Sequence, residues 1–152
     1  MTPTYKGNTE LLSLHKVAFF AASRTATLSV LPTLDWVAET AMRSEVAVCC
    51  GFQSLMERKI LPYLLRGRCG IIVALTRPQY VQIPDEFGDA FAASRILFVS
   101  FTDKAVRPNK SLSQKRNQWL AEMADSIVLC SVTPDSSLYS IQSSTTKPII
   151  TL

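Results

Sequence analysis

The sequence predicts a three-layer α/β domain built on a mostly parallel sheet of five or six strands. Three observations carry this. Short apolar runs without alternation recur along the chain, as expected for strands buried on both faces. Segments with a single apolar stripe at helical spacing separate them. The chain has 152 residues, enough for one domain with a real core, and shows no internal repeat or low-complexity linker. The expected organisation is an N-terminal arm over 1–15 and a single domain over 16–152.

Met1 to Ser13 is polar with little period and reads as an arm or a short helix. The first strand is "VAFFAA", Val17 to Ala22. A helix follows from Thr33 to Arg43, with Leu34, Val37, Ala38, Ala41 and Met42 on one stripe and Pro32–Thr33 as its start signal. The second strand is "VAVCC", Val46 to Cys50, ended by Gly51. Ser54 and Glu57 then form an S-x-x-E capping box, opening a helix that Pro62 should bend or weaken and that Gly67 closes.

"IIVAL", Ile71 to Leu75, is the third strand. Pro78 and Pro84 mark a loop, and Asp85 to Ala93 has room for a short helix. The fourth strand is Ile96 to Val99, and a polar loop with Pro108 leads to a helix over Ser111–Ala124. The fifth strand is "IVLCS", Ile127 to Ser131. A short helix from Asp135 to about Gln142 and a last strand within Pro148–Leu152 complete the pattern. Apolar strands alternating with amphipathic helices give a parallel sheet covered on both sides.

Composition narrows the function classes. A net charge of +4 without a run of Lys or Arg permits phosphate or nucleic acid without demanding either. Cys49, Cys50, Cys69 and Cys130 lie in or beside apolar runs, without C-x-x-C spacing and with a single histidine, His15, so they read as buried free thiols rather than zinc ligands. No segment reads as a signal peptide or a membrane span, so a cytoplasmic protein with no membrane partner is expected. No cofactor is expected: neither G-x-G-x-x-G nor G-x-x-x-x-G-K-[ST] occurs.

In an open parallel sheet ligands bind beyond the carboxyl ends of the strands. The loops there hold Ser23 and Arg24; Gly51, Phe52, Gln53 and Ser54; Thr76 and Arg77; Ser100 and Phe101; and Thr133 to Ser137. The helix N-termini at Ser54 and near Arg116–Asn117 offer free N–H groups suited to phosphate. Helical geometry puts Arg116 on the inward face, where it either snorkels to water or meets an anion. Arg24, Arg77 and Arg116 are expected to converge on one edge. Glu57 serves the capping box or reaches a ribose or base. Phe52, Phe101 and Trp119 are candidate stacking platforms for a single strand. No nucleophile–base pair is visible, and His15 precedes the first strand, at the opposite edge.

Four segments carry a resemblance: "AASR", "GFQSLMERKILPYLLRG", "ASRILFVSF" and "KRNQWLAEMADSIVL". With them the chain, from Lys16 to about Leu138, resembles the DNA-processing protein A (DprA/Smf) family, in particular its short single-domain members. The G-F-x-S-x-x-E motif stands as Gly51, Phe52, Ser54 and Glu57, and the R-N pair as Arg116 and Asn117. The resemblance implies a Rossmann-like nucleotide-binding domain in which Ser23, Arg24, Gly51, Ser54, Ser100, Arg116 and Asn117 line a phosphate pocket. It implies binding of a nucleotide or single-stranded DNA, without catalysis, and a homodimer as one assembly. The chain departs from the family in "CCGFQSLM" and in "DSSL", where Asp135 would repel a phosphate. Two other readings stand beside this one. A phosphoribohydrolase-like enzyme would need P-G-G-x-G-T-x-x-E, which is absent; an interaction scaffold would need no ligand.

Overall fold

The computed structural model describes residues 2–105, 107 and 109–152; the Pro108 of the expected loop lies outside the described residues. Six strands run parallel: β2 (His15–Ala21), β3 (Val46–Cys50), β4 (Gly70–Leu75), β5 (Ile96–Ser100), β6 (Ser126–Cys130) and β7 (Ile149–Thr151). A seventh, β1 (Thr4–Gly7), pairs antiparallel with β5, and the sheet order is β1-β5-β4-β3-β2-β6-β7. The mostly parallel α/β architecture is as the sequence predicts, with one strand more than the upper expectation.

The additional strand is the polar start of the chain. Its side chains are mostly exposed, so no apolar run announces it. What fixes it is a partner far along the chain: Tyr5 sits opposite Val99 and Lys6 opposite Phe98. Gly7, at φ 123°, ends the strand where a Cβ would lie 2.3 Å from the Ile96 carbonyl oxygen. Only glycine fits that approach.

Among the described residues the five α-helices are α1 (Thr27–Thr40), α2 (Leu55–Leu65), α3 (Gly88–Ala92), α4 (Lys110–Met123) and α5 (Tyr139–Ser144). β3, β4 and β5 are buried along their whole length, which is why their sequences are unbroken apolar runs. One core cluster joins α1, α2 and α3 to one face of the sheet through Val37, Ile60, Leu64, Phe87 and Phe98. The other joins α4 and the segment around Leu11 to the opposite face through Leu120, Phe20, Ile72 and Leu129.

Helix α1 departs from expectation. It begins at Thr27, six residues before the expected Thr33, and carries Pro32 inside it. Its buried stripe is Ser29, Thr33, Val37 and Thr40, whereas Met42 and Ala38 are exposed. Two of the buried hydroxyls have partners: Thr33 meets Cys130 Sγ at 3.3 Å, and Ser29 donates to the Leu152 carbonyl at 3.1 Å. Helix α2 begins as predicted. Ser54 accepts from the Glu57 amide and Glu57 reaches back to the Ser54 amide, a complete capping box.

Candidate functional site

The chain first adds strands on one side of β2, through β3 and β4 to β5, and then returns to add β6 and β7 on the other side. Beyond paired residues Ala21 and Cys130, the two chains part. One turns into α1 and the other into the segment leading to α5, on opposite faces. Such a reversal leaves a crevice at the carboxyl ends of the strands. Here it is a cleft of about 710 Å³.

Of the residues expected at a site, Ser23, Arg24, Gln53, Ser54, Glu57, Arg116 and Asn117 line this cleft. Thr133, Asp135, Ser136 and Ser137, from the loop after β6, form the opposing wall. Ser113, Thr25 and Ser131 line it as well and were not singled out in the sequence. Ser131 sits just beyond β6 with φ 56°, a left-handed conformation uncommon for serine, and its hydroxyl accepts from the Ala26 amide at 3.0 Å. The sequence reading had assigned it to the strand.

Arg116 is the centre of the cleft's electrostatics. It projects from α4 and is only 8% exposed. Its Nε donates to Asn117 Oδ1 at 3.2 Å. Among the described residues the ion pairs are Lys16–Asp125 and Arg43–Glu45, so Arg116 makes no direct ion pair, although Glu57 and Asp135 line the same cleft. A buried charge without a counterion is costly. Gly51 makes room for it: a Cβ there would lie 2.8 Å from Arg116 Nε and 2.9 Å from Cζ. Gly51 therefore acts as a flat support for the guanidinium side chain.

Two helix N-termini meet the cleft and differ in what they offer. At α2 the Glu57 carboxylate, 6% exposed, accepts from the amides of Gln53 at 2.9 Å, Ser54 at 3.2 Å and Ala21 at 3.1 Å. It ties the end of β2 to the β3–α2 loop and satisfies that helix end. At α1 the N-cap is Ala26, which has no side chain to accept from the first-turn amides. The Ser29 amide donates back to the Ala26 carbonyl at 2.9 Å, and Thr25 and Ala26, just ahead of the helix, line the cleft. At the rim, Thr133 donates to Asp135, holding its carboxyl below the usual range.

Four expected residues play other parts. Gly51 lies beneath Arg116, and Phe52, at φ 53°, turns its ring into the core. Arg77 stands over the Tyr80 ring, 4.1 Å from the centroid, and donates to the Pro78 carbonyl. It follows β4, two strands from the point of reversal, so the expected convergence of three arginines reduces to Arg24 and Arg116. Ser100 is fully buried, its hydroxyl 2.5 Å from the Arg77 carbonyl and 2.9 Å from that of Thr102, where it pins the adjoining loop. The candidate aromatic platforms are also occupied. Phe101 packs edge-on against Trp119 at 5.3 Å, and Phe52 is buried.

His15 lies at the opposite end of β2 with Nε2 3.2 Å from Ser126 Oγ. No group of three or more His, Cys, Asp or Glu able to hold a metal occurs among the described residues. Nor is any helix among them long and apolar enough to cross a membrane.

No protein-family model matches the chain, and no curated protein matches it in sequence. Solved structures do match. The crystal structure of DNA processing protein A from Streptococcus pneumoniae superposes with a TM-score of 0.75 over 98% of this chain, at 15% identity. DNA processing protein A from Helicobacter pylori, described for its single-stranded DNA binding mode, gives a TM-score of 0.75 over 98% of this chain, at 18% identity. The chain spans 54% of the first protein and 70% of the second. Its Rossmann-like fold is that of DNA processing protein A.

Proposed function

We propose that this domain binds the phosphate of a nucleotide or of single-stranded nucleic acid in the crevice between β2 and β6. Arg116 is the principal phosphate ligand, and Arg24 approaches from the exposed rim. The observation that carries this reading is the buried Arg116 side chain, which lines the crevice and makes no ion pair among the described residues. An anion arriving from solution would complete it. The fold shared with a protein that binds single-stranded DNA supports the same class of ligand.

The reading is of binding rather than turnover. Glu57, the acid of the crevice floor, is held by three backbone amides and is committed to structure. A hydrolase would need that carboxylate free to take a proton or orient a water.

The test is fluorescence anisotropy with a labelled short thymidylate strand, repeated with unlabelled nucleotides as competitors. Arg116→Ala should weaken binding by at least about tenfold, a loss of the size expected for a charge-assisted contact, while far-UV circular dichroism is unchanged. Affinity should fall with salt. Undiminished binding by a folded Arg116→Ala protein would overturn the reading.

A further inference from the structure

The charged side chains lining the crevice are Arg24, Arg116, Glu57 and Asp135, two of each sign, so its formal charge is zero. For a phosphate alone the acids are a liability, since like charges repel. The two acids are not equivalent. Glu57 spends both oxygens on backbone amides, Oε2 on Ala21 and Oε1 on Gln53 and Ser54. Asp135 is held by one contact: Thr133 donates to its Oδ1, and among the described residues no other residue donates to the carboxylate. The turn that carries it is closed by the Ser136 amide, which donates to the Thr133 carbonyl at 2.8 Å. The wall opposite Arg116 thus presents an oriented, ionised carboxylate with acceptor capacity to spare.

We infer that Asp135 reads the sugar of a nucleotide, accepting hydrogen bonds from the ribose 2′ and 3′ hydroxyls while Arg116 holds the phosphate, so that the crevice prefers ribonucleotides to their deoxy counterparts. The inference rests on the phosphate reading above and names the ligand class within it. A carboxylate carries acceptor sites and no donor, so it is satisfied only by a group that brings protons. A phosphodiester brings none. The vicinal hydroxyls of a ribose bring two, on adjacent carbons and a few bonds from the 5′ phosphate. An acidic side chain on a ribose hydroxyl is the chemistry by which other crevices at this place in a parallel sheet hold a nucleotide. Hydrogen bonds to an ionised acceptor are the strong ones. Without the hydroxyls, the same oxygens face only the charge of the phosphate. Asp135 therefore favours one sugar and disfavours the other, and specificity is that difference. At about 710 Å³ the crevice is of a size for one such ligand.

Calorimetry compares adenosine 5′-monophosphate with its 2′,3′-dideoxy analogue, and cytidine with uridine 5′-monophosphate. The proteins are wild type, Asp135→Ala, Asp135→Asn and Arg116→Ala. Wild type should bind adenosine monophosphate at least about tenfold more tightly than the dideoxy analogue, the size expected for one lost hydrogen bond to a charged group. Asp135→Ala should bring the two within about twofold of each other, weakening the ribonucleotide and strengthening the analogue. Opposite changes in two ligands of one site are not the mark of a folding defect. Asp135→Asn keeps the shape and one acceptor oxygen without the charge, and should discriminate to an intermediate degree. Cytidine and uridine monophosphates should bind alike, since the sugar and not the base is read. Equal affinity of wild type for adenosine monophosphate and its dideoxy analogue, or full discrimination by Asp135→Ala, would overturn the inference and leave the phosphate reading standing. A preference for cytidine that Asp135→Ala removes would do the same, because the carboxylate would then accept from an exocyclic amine. If wild type binds none of the four, or Arg116→Ala binds like wild type, the phosphate reading fails and the inference with it.

Discussion

Arg116 lies flat against Gly51, with no room for even a methyl group between the guanidinium and the end of β3. A Cβ at Gly51 would meet Nε, Cδ and Cζ of Arg116 at 2.8–2.9 Å. The backbone at Gly51 is not in the left-handed region, so the glycine is there for space rather than for its torsion angles. Gly51→Ala should therefore displace the arginine rather than the strand. Phosphate or oligonucleotide affinity should fall by about tenfold, with a stability loss of only about 1 kcal/mol because the side chain yields before the sheet does. Parallel binding and urea denaturation curves would show the split. A large stability loss with retained affinity would mean that the arginine is fixed and the strand has moved.

Glu57 makes the opposite kind of contribution. Its carboxylate joins three amides from the end of β2 and the β3–α2 loop, so Glu57→Ala should cost about 2–4 kcal/mol, combining a lost cap with buried donors left unpaired. Glu57→Gln keeps one acceptor oxygen and should cost less. Urea melts of the two variants measure both figures.

Asp125 offers a pH test. The Lys16 amide donates to Asp125 Oδ2 at 2.8 Å, and the Asp125 amide donates back to the Lys16 carbonyl at 2.8 Å. The first bond holds the Asp125 carboxyl below the usual carboxylate range, with the Lys16 ammonium assisting. The folded value is depressed, so the contribution is fully present above the unfolded value, about 3.9, and is lost as pH falls through the folded one. Because the side chain is half exposed, it is at most about 1 kcal/mol. Asp125→Asn should lower stability by a constant amount between neutral pH and the unfolded value. That deficit should vanish in stronger acid, as read from urea midpoints across pH.

All four cysteines are free and buried. Burial pushes Cys49 up to about 12 and Cys69 up to about 11, and raises Cys50 well above the ordinary thiol value, with Glu57 adding to the effect. Thiolate is the reactive form. The native protein should leave all four unmodified by an aromatic disulfide reagent, and all four should react after denaturation. A single fast native thiol would show that one strand opens locally.

The parts of the fold legible in sequence were those set by neighbours in the chain. β3 was read with its observed bounds, and the Ser54–Glu57 box marked the start of α2, because apolar runs and caps are local signals. β1 is not legible in sequence, since its argument is the pairing with β5 across the sheet. The start of α1 was misread because Pro32 suggests a first turn, and because the buried Ser29 and Thr33 look like surface residues until Leu152 and Cys130 are seen beside them. For the crevice, the sequence named the strand tips but not which tips matter. Arg77 follows β4 and Ser100 ends β5, and only the strand order reveals that β2 and β6 flank the opening.

The crevice walls come from segments scattered between Ala21 and Leu138, joined only by the reversal of strand order at β2. During refolding, β3 must be in place before Arg116 has Gly51 to lie against, and β6 before the opposing wall of the crevice exists. Ligand capture should thus be among the last events of folding, arriving with the slow non-local pairing of β2 and β6 rather than with the early helices. A ligand-dependent signal on a stopped-flow trace would then serve as a clock for completion of the whole sheet.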